Sequence, residues 1–245
     1  SLVVSSFDYD RGDFENEGNK LFEFEGDPRY VVRIEDIEFL KTYFFKEASS
    51  PQETMKKTKE LFDELKEKYG IIAPVNFAIV EGWEKKGPLL YIVTDKVEGQ
   101  RPEEVDFNFP DKEELIKKFE DFYVSLTRYF IDKFKSDDLV FWDIAKSSAI
   151  KYGKKEGDTL PNLYVIDTDP KLISGSSGIG DLTDMFPTIQ MIEAKGGRRF
   201  SLVRKELSDF LSQLDSEEIK PADKVSENYM KSVAGCIKAF LEDGR

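Results

Sequence analysis

Hydrophobic and polar positions change their period several times along the chain. Leu21-Phe22-Glu23-Phe24 and Tyr30-Val31-Val32-Arg33-Ile34 are β-prone runs around Gly26-Asp27-Pro28, which predicts a β-hairpin within a strand-forming stretch, residues 1–35. From 52 to 69, Met55, Leu61, Phe62, Leu65 and Tyr69 recur at three- and four-residue spacing. That predicts a helix, with Pro51 suited to its start and Gly70 to its close. Two strands follow, "VNFAIVEG" from Val75 and "PLLYIVTDKVEG" from Pro88, joined by a polar turn. Residues 100–111, with Pro102 and Pro110, read as a linker. Leu115, Phe119, Phe122, Leu126, Phe130 and Phe134 then mark one face of a long helix over 112–134. "LVFWDIAKSS" breaks that period, and "AIKYGKK" and "NLYVID" predict short strands around the turn "EGDTLP". Beyond Pro170, "KLISGSSGIGD" reads as a loop, and helical patterns recur near 183–194, 198–213 and 223–242.

This order predicts an α+β protein with a β-rich N-terminal lobe over 1–98, a linker over 99–111 and a mainly helical lobe over 112–245. The length of 245 residues suits one large domain or two lobes sharing a cleft, and twenty Phe supply ample core material.

Charge and the rare residues narrow the chemistry. A net charge of −13 argues against a nucleic-acid polymer or an anionic membrane as partner, although one phosphorylated small molecule needs only local positive charge or a metal. No run of about 18 apolar residues predicts a membrane span. The single cysteine, Cys236, suits a reducing compartment, so a cytoplasmic protein is expected, and its apolar surroundings predict a packed thiol. With no histidine, Ser-His-Asp and Cys-His triads are excluded, as are Cys/His zinc sites. Acid–base work falls to Asp, Glu, Lys or Tyr.

One stretch draws attention on its own. In "NLYVIDTDP" an apolar run ends in Asp167 and Asp169, one position apart, before Pro170. Two readings fit: a plain turn, or the metal end of a phosphate-transfer site.

The order of elements over residues 12–170 resembles the protein-kinase-like fold, closest to its aminoglycoside phosphotransferase branch of small-molecule kinases. "RYVVRI" is similar to the strand that sets a basic residue against the nucleotide phosphates, here Arg33. "LLYIVTDKVEGQRPEEV" resembles the hinge strand, which implies that Asp95 and Val97 contact adenine through their backbone. "LVFWDIAKSS" resembles the catalytic loop, with Asp143 in the catalytic-base position, and "NLYVIDTDP" resembles the strand that ends in the metal-binding Asp167. The resemblance implies ATP and Mg²⁺ as cofactors, a bilobal shape, and phosphoryl transfer to a hydroxyl of a small-molecule acceptor. It implies metal ligation by Asp167, by Asp169 directly or through water, and by Ser148. Glu60 or Glu53 would pair with Arg33, and Glu60 is preferred.

Several positions depart from the family pattern. Phe141 stands where a His is usual, Ser148 where an Asn is usual, and Gly12 and Gly18 lack the intervening glycine of a phosphate loop. The departures favour an alternative, a pseudokinase: a nucleotide-sensing or protein-docking module without turnover. Each residue also has a plainer reading. Arg33 fits a solvent-facing strand position, Phe141 and Trp142 fit packing, and the basic stretch "KGGRR" fits a helix connection. "GSSGIGD" lacks the Lys-Ser/Thr pair of a P-loop and reads as a mobile loop.

Overall fold

The computed structural model describes residues 3–7, 30–81, 89–108, 111–167, 171–216 and 224–243. The chain is α+β and divides into two compact units. One takes residues up to 68, 72–98 and 153–170; the other takes 69–71, 99–152 and 171 onward.

The first unit is built on an antiparallel sheet of β1 (Val3–Phe7), β2 (Tyr30–Asp36), β3 (Val75–Glu81) and β4 (Leu89–Asp95), in the order β1-β3-β4-β2. The unbroken apolar run of β4 fits its central place: Leu90 to Thr94 are all buried. The strand predicted at Leu21–Phe24 lies outside the described residues. Directly after β2 comes a helix the pattern did not predict, α1 (Ile37–Tyr43), which buries only Ile37 and Leu40.

The predicted amphipathic helix is α2 (Pro51–Tyr69). Its start is capped from both sides. The Ser50 hydroxyl accepts the Glu53 N–H at 3.1 Å, and the Glu53 carboxylate accepts the Ser49 N–H at 2.6 Å. Met55, Phe62 and Leu65 are buried, and the Phe62 ring meets Phe77 of β3 at 5.4 Å. Thr54 and Thr58 share the buried face because their hydroxyls donate to carbonyls one turn back, at 3.2 and 3.0 Å. Gly70 follows at φ +70°, the left-handed geometry of a helix stop. After β4 comes the short, exposed β5 (Glu98–Gln100).

The second unit is organised around α3 (Lys112–Ser136), which buries far more than one stripe, from Leu115 to Phe134. Before it stands a 3₁₀ turn, Pro102–Glu104. After it, β6 (Leu139–Phe141) pairs antiparallel with β9 (Leu172–Ser174), Val140 opposite Ile173. Between these lie a second 3₁₀ turn, Ser147–Ala149, and the strand β7 (Ile150–Lys154). The strand β8 (Asn162–Val165) belongs to the first unit, where Ile72 bridges Tyr164 in parallel.

The segment read as a loop, "KLISGSSGIGD", is instead β9 followed by α4 (Gly175–Gly178). Its glycine is a packing glycine: a Cβ at Gly175 would fall 1.8 Å from the Lys133 carbonyl oxygen of α3. Then come α5 (Asp181–Asp184), α6 (Phe186–Gly196), α7 (Ser201–Asp215) and α8 (Lys224–Glu242). On α8 the buried residues are Met230, Val233, Ile237 and Phe240, a three-and-four spacing that leaves Cys236 on the solvent side. The packed thiol expected from its neighbours is thus an exposed one. Among the described residues no helix is long and apolar enough to cross a membrane.

Candidate functional site

Chemistry-bearing side chains converge in the second unit around Asp143. The chain on both sides of that residue is fixed. Phe141 is buried, and its N–H donates to the Tyr129 hydroxyl at 2.9 Å. The Trp142 N–H donates to the Lys171 carbonyl at 2.7 Å. Asp143 then takes φ +70°, a left-handed conformation that Asp tolerates better than most residues, and its own N–H donates to Asp181 Oδ2 at 2.5 Å.

Asp181 opens α5 and is buried; Asp184, one helical turn on, is exposed. One carboxylate oxygen from each of Asp143, Asp181 and Asp184 lies within 4.8 Å of the other two. Two lysines answer this charge. Lys146 Nζ sits 2.5 Å from Asp143 Oδ1 and 4.0 Å from Asp184 Oδ2, and Lys171 Nζ sits 3.8 Å from Asp143 Oδ2. Lys146 also lies 5.8 Å from the centre of the Trp142 ring. Trp142 is 45% exposed, so the packing role expected of it holds for its neighbour Phe141 and not for Trp142 itself.

Burial, with added repulsion from Asp184 and Asp143, pushes the Asp181 carboxyl up to about 7, against the opposing pull of the Asp143 N–H and Lys146. Asp184 is raised for the same first reason, burial, with Lys146 pulling it down and Asp143 pushing it up. Lys146 is raised by its hydrogen bond to Asp143. Tyr229 of α8 is raised by burial and by the charges of Asp181 and Asp184. Its hydroxyl comes so close to the chain that a Cβ at Gly180 would fall 1.6 Å from it.

The cluster can therefore present one partly accessible carboxylate, Asp143, on a pinned backbone. Its all-oxygen donors also suit a hard cation, although Lys146 already neutralises part of the charge.

The other residues singled out in the sequence are placed as follows. Ser148 is exposed in the turn Ser147–Ala149 of the second unit. Arg33 lies on β2 opposite Ile92 of β4. Glu60 is exposed on α2, 3.9 Å from Lys56, whereas Glu53 serves as the cap of that helix. Asp95 ends β4; its N–H donates to the Pro74 carbonyl at 2.9 Å and its carboxylate lies 3.3 Å from Lys155. Val97 is buried. Asp167 follows β8, half-buried, with Oδ1 shielded from solvent. Asp169 lies outside the described residues. The basic stretch at 195–199 is a set of internal ties. Lys195 donates to the Glu103 carbonyl, Arg198 pairs with Glu120 at 3.3 Å, and Arg199 donates to the Asp243 carbonyl.

No protein-family model matches the chain, and neither a curated protein nor a solved structure matches it.

Proposed function

We propose that this chain is a kinase-like phosphotransferase that moves a phosphoryl group from ATP, with Mg²⁺, to a hydroxyl of a small molecule. The observation that carries the reading is the pinned Asp143: a left-handed backbone, its N–H tied to buried Asp181, and a carboxylate left partly accessible. A positioned carboxylate is what this reaction asks of a protein, because phosphoryl transfer depends mainly on orienting the nucleophile and neutralising charge. In this reading Asp143 orients the acceptor hydroxyl and takes its proton. Lys146, on the same carboxylate, holds it in one rotamer. Asp167, joined by Asp169, would supply oxygen ligands to Mg²⁺, a donor type that fits that hard ion. When bound, Mg²⁺ supplies neutralising charge to the phosphates. The antiparallel neighbours β2 and β4, with Arg33 opposite Ile92, support the strand pairing the kinase-like reading needs.

The test is a turnover assay with a panel of hydroxyl acceptors, run beside calorimetry of Mg-ATP. Asp143→Asn is expected to lower turnover about 100- to 10,000-fold while leaving nucleotide affinity in place. Asp167→Ala is expected to remove the Mg²⁺ dependence of binding. Absence of any Mg²⁺-dependent nucleotide heat in the parent protein would end the proposal.

A second reading is a nucleotide-sensing or protein-docking module without turnover. It draws on a specific contact: Asp143 is held by Lys146 at 2.5 Å and approached by Lys171 at 3.8 Å, which competes with an acceptor for its oxygens. Mg-ATP binding with no acceptor turnover would favour it.

A further inference from the structure

Consecutive N–H groups lead the chain into the Asp143 carboxylate, and each is held by a different element of the second unit. Phe141 donates to the Tyr129 hydroxyl of α3 at 2.9 Å, Trp142 to the Lys171 carbonyl beside β9 at 2.7 Å, and Asp143 to Asp181 of α5 at 2.5 Å. The Phe141 bond answers a need that strand geometry creates. β6 and β9 form a two-stranded antiparallel sheet, with Val140 opposite Ile173 and Phe141 opposite Leu172. In such a pair, successive amides point alternately to the partner strand and to the outer edge. Trp142 faces the partner, so the N–H of Phe141 turns to the outer edge, which no other strand covers among the described residues. Phe141 is 1% exposed, and a buried N–H needs an acceptor.

The acceptor is itself held in place. Tyr129 is 2% exposed, and its ring lies edge-on to Tyr69 at 5.2 Å and meets Phe130 at 5.3 Å. Tyr69, which belongs to the same unit, is a second buried phenol, but its hydroxyl donates to Asp132 of α3 at 3.1 Å. The two tyrosines thus have similar surroundings and different hydroxyl partners. Removing the Tyr129 hydroxyl leaves the Phe141 N–H facing an aromatic C–H, with the hydration of that amide lost and not replaced. It also frees the chain two residues before the backbone at φ +70°, a conformation that persists only where the surrounding structure enforces it.

We propose that Tyr129 is a positioning residue: through the Phe141 N–H, its hydroxyl sets the course of the chain that presents the Asp143 carboxylate. It acts through the backbone, while Asp143 makes the contact with the acceptor. That this course matters for turnover rests on the phosphotransferase reading; that Tyr129 sets it does not.

The experiment compares the full chain with Tyr129→Phe and, as a control, Tyr69→Phe. The readouts are residue-resolved amide hydrogen exchange and turnover of Mg-ATP with the panel of hydroxyl acceptors. In the parent, the Phe141 amide is expected among the slowly exchanging ones; exchange at the rate of an exposed turn overturns the proposal without any variant. In Tyr129→Phe, the amides of 141–143 are expected to exchange about tenfold faster or more, with those of α3 as in the parent. Turnover is expected to fall about 10- to 100-fold in kcat, with the acceptor KM within about twofold, because orientation is lost and binding is not. Tyr69→Phe also loses a buried hydroxyl, and is expected to leave both the 141–143 exchange and kcat unchanged. Unchanged exchange at 141–143 in Tyr129→Phe overturns the proposal. So does equal acceleration in the two variants, and so does faster exchange with kcat intact. A parent that turns over no acceptor ends the phosphotransferase reading alone, and the exchange rates then decide whether Tyr129 holds this chain.

Discussion

Two groups of acids in the same unit are handled in opposite ways. Around α6, α7 and α8, the acids Glu193 and Glu120 face donors. Glu193 accepts the Phe200 N–H at 2.6 Å and binds Arg204 through both oxygens, at 3.3 and 2.7 Å. Arg204 in turn donates to the Phe240 carbonyl and lies 4.2 Å from the centre of that ring. Glu120, fully buried, accepts the Leu202 N–H at 2.8 Å at the start of α7, where a carboxylate also meets the positive end of the helix. Around Asp143, by contrast, carboxylates face one another, and their lysines are nearly half exposed. The first arrangement is what an acid needs in order to hold a fold together. The second keeps protons exchangeable and one carboxylate accessible, which costs stability and suits chemistry.

The most damaging way to break this comparison is at the first group. Glu193→Ala leaves Arg204, 12% exposed, without its carboxylate, and is expected to cost about 3 kcal/mol in urea unfolding. A loss below about 1 kcal/mol would mean that the two groups do not differ as described.

A smaller effect, with a sign, belongs to Asp181. Its folded-state pKa is pushed up to about 7 from 3.8, so between those values the folded chain holds a proton that the unfolded chain has released. Stability from this group is therefore present at low pH and is lost as pH rises toward 7. Asp181→Asn keeps an oxygen for the Asp143 N–H but cannot titrate. Its melting temperature is expected to match the parent near pH 4 and to exceed it by about 5 °C at pH 8. Equal pH slopes for parent and variant would show that Asp181 does not titrate there. The chain has no histidine, which keeps this window clear of the usual contributor.

The smallest change is at Lys146, 45% exposed. Lys146→Ala is expected to alter stability at pH 5 by less than about 1 kcal/mol. It should nevertheless move the pH at which the parent loses stability upward, because the amine holds Asp181 down. Comparing the pH–melting profiles of the two proteins decides it, and a shift in the other direction would remove Lys146 from the cluster.

Legibility from sequence followed the reach of the interaction. The helices α2 and α3 were readable because their apolar spacing runs over many turns, and β3 and β4 because their apolar runs end in turn residues. Helix α1 was not, since seven residues burying two side chains can pass for the tail of a strand. "KLISGSSGIGD" looked like a loop because its glycines suit turns, whereas their use here is close approach, of Gly175 to α3, Gly178 to Val140 and Gly180 to Tyr229, which only the tertiary structure reveals. Asp143 could be singled out from its place after the long helix. Its partners Asp181 and Asp184 could not, although their three-residue spacing put them on one side of a helical turn. What makes Asp181 special is burial, 38 residues away from the N–H it binds. Cys236 was misplaced for a different reason. Its neighbours are apolar, but the spacing of Met230, Val233, Ile237 and Phe240 already excluded it from the stripe.

The left-handed backbone at Asp143 also limits how this position can drift over generations. A side chain at φ +70° is tolerated at little cost for glycine and for asparagine, and at about 1 to 2 kcal/mol for most other residues. A descendant that lost the use of the carboxylate would pass most easily to Asn, one base change from Asp, or to Gly, also one change away. Alanine is equally near in the genetic code but would carry the conformational cost. An Asn or Gly at this place in a diverged copy would then mark relaxed demand on the carboxylate, whereas a bulky apolar residue would mark a loop that had changed its course.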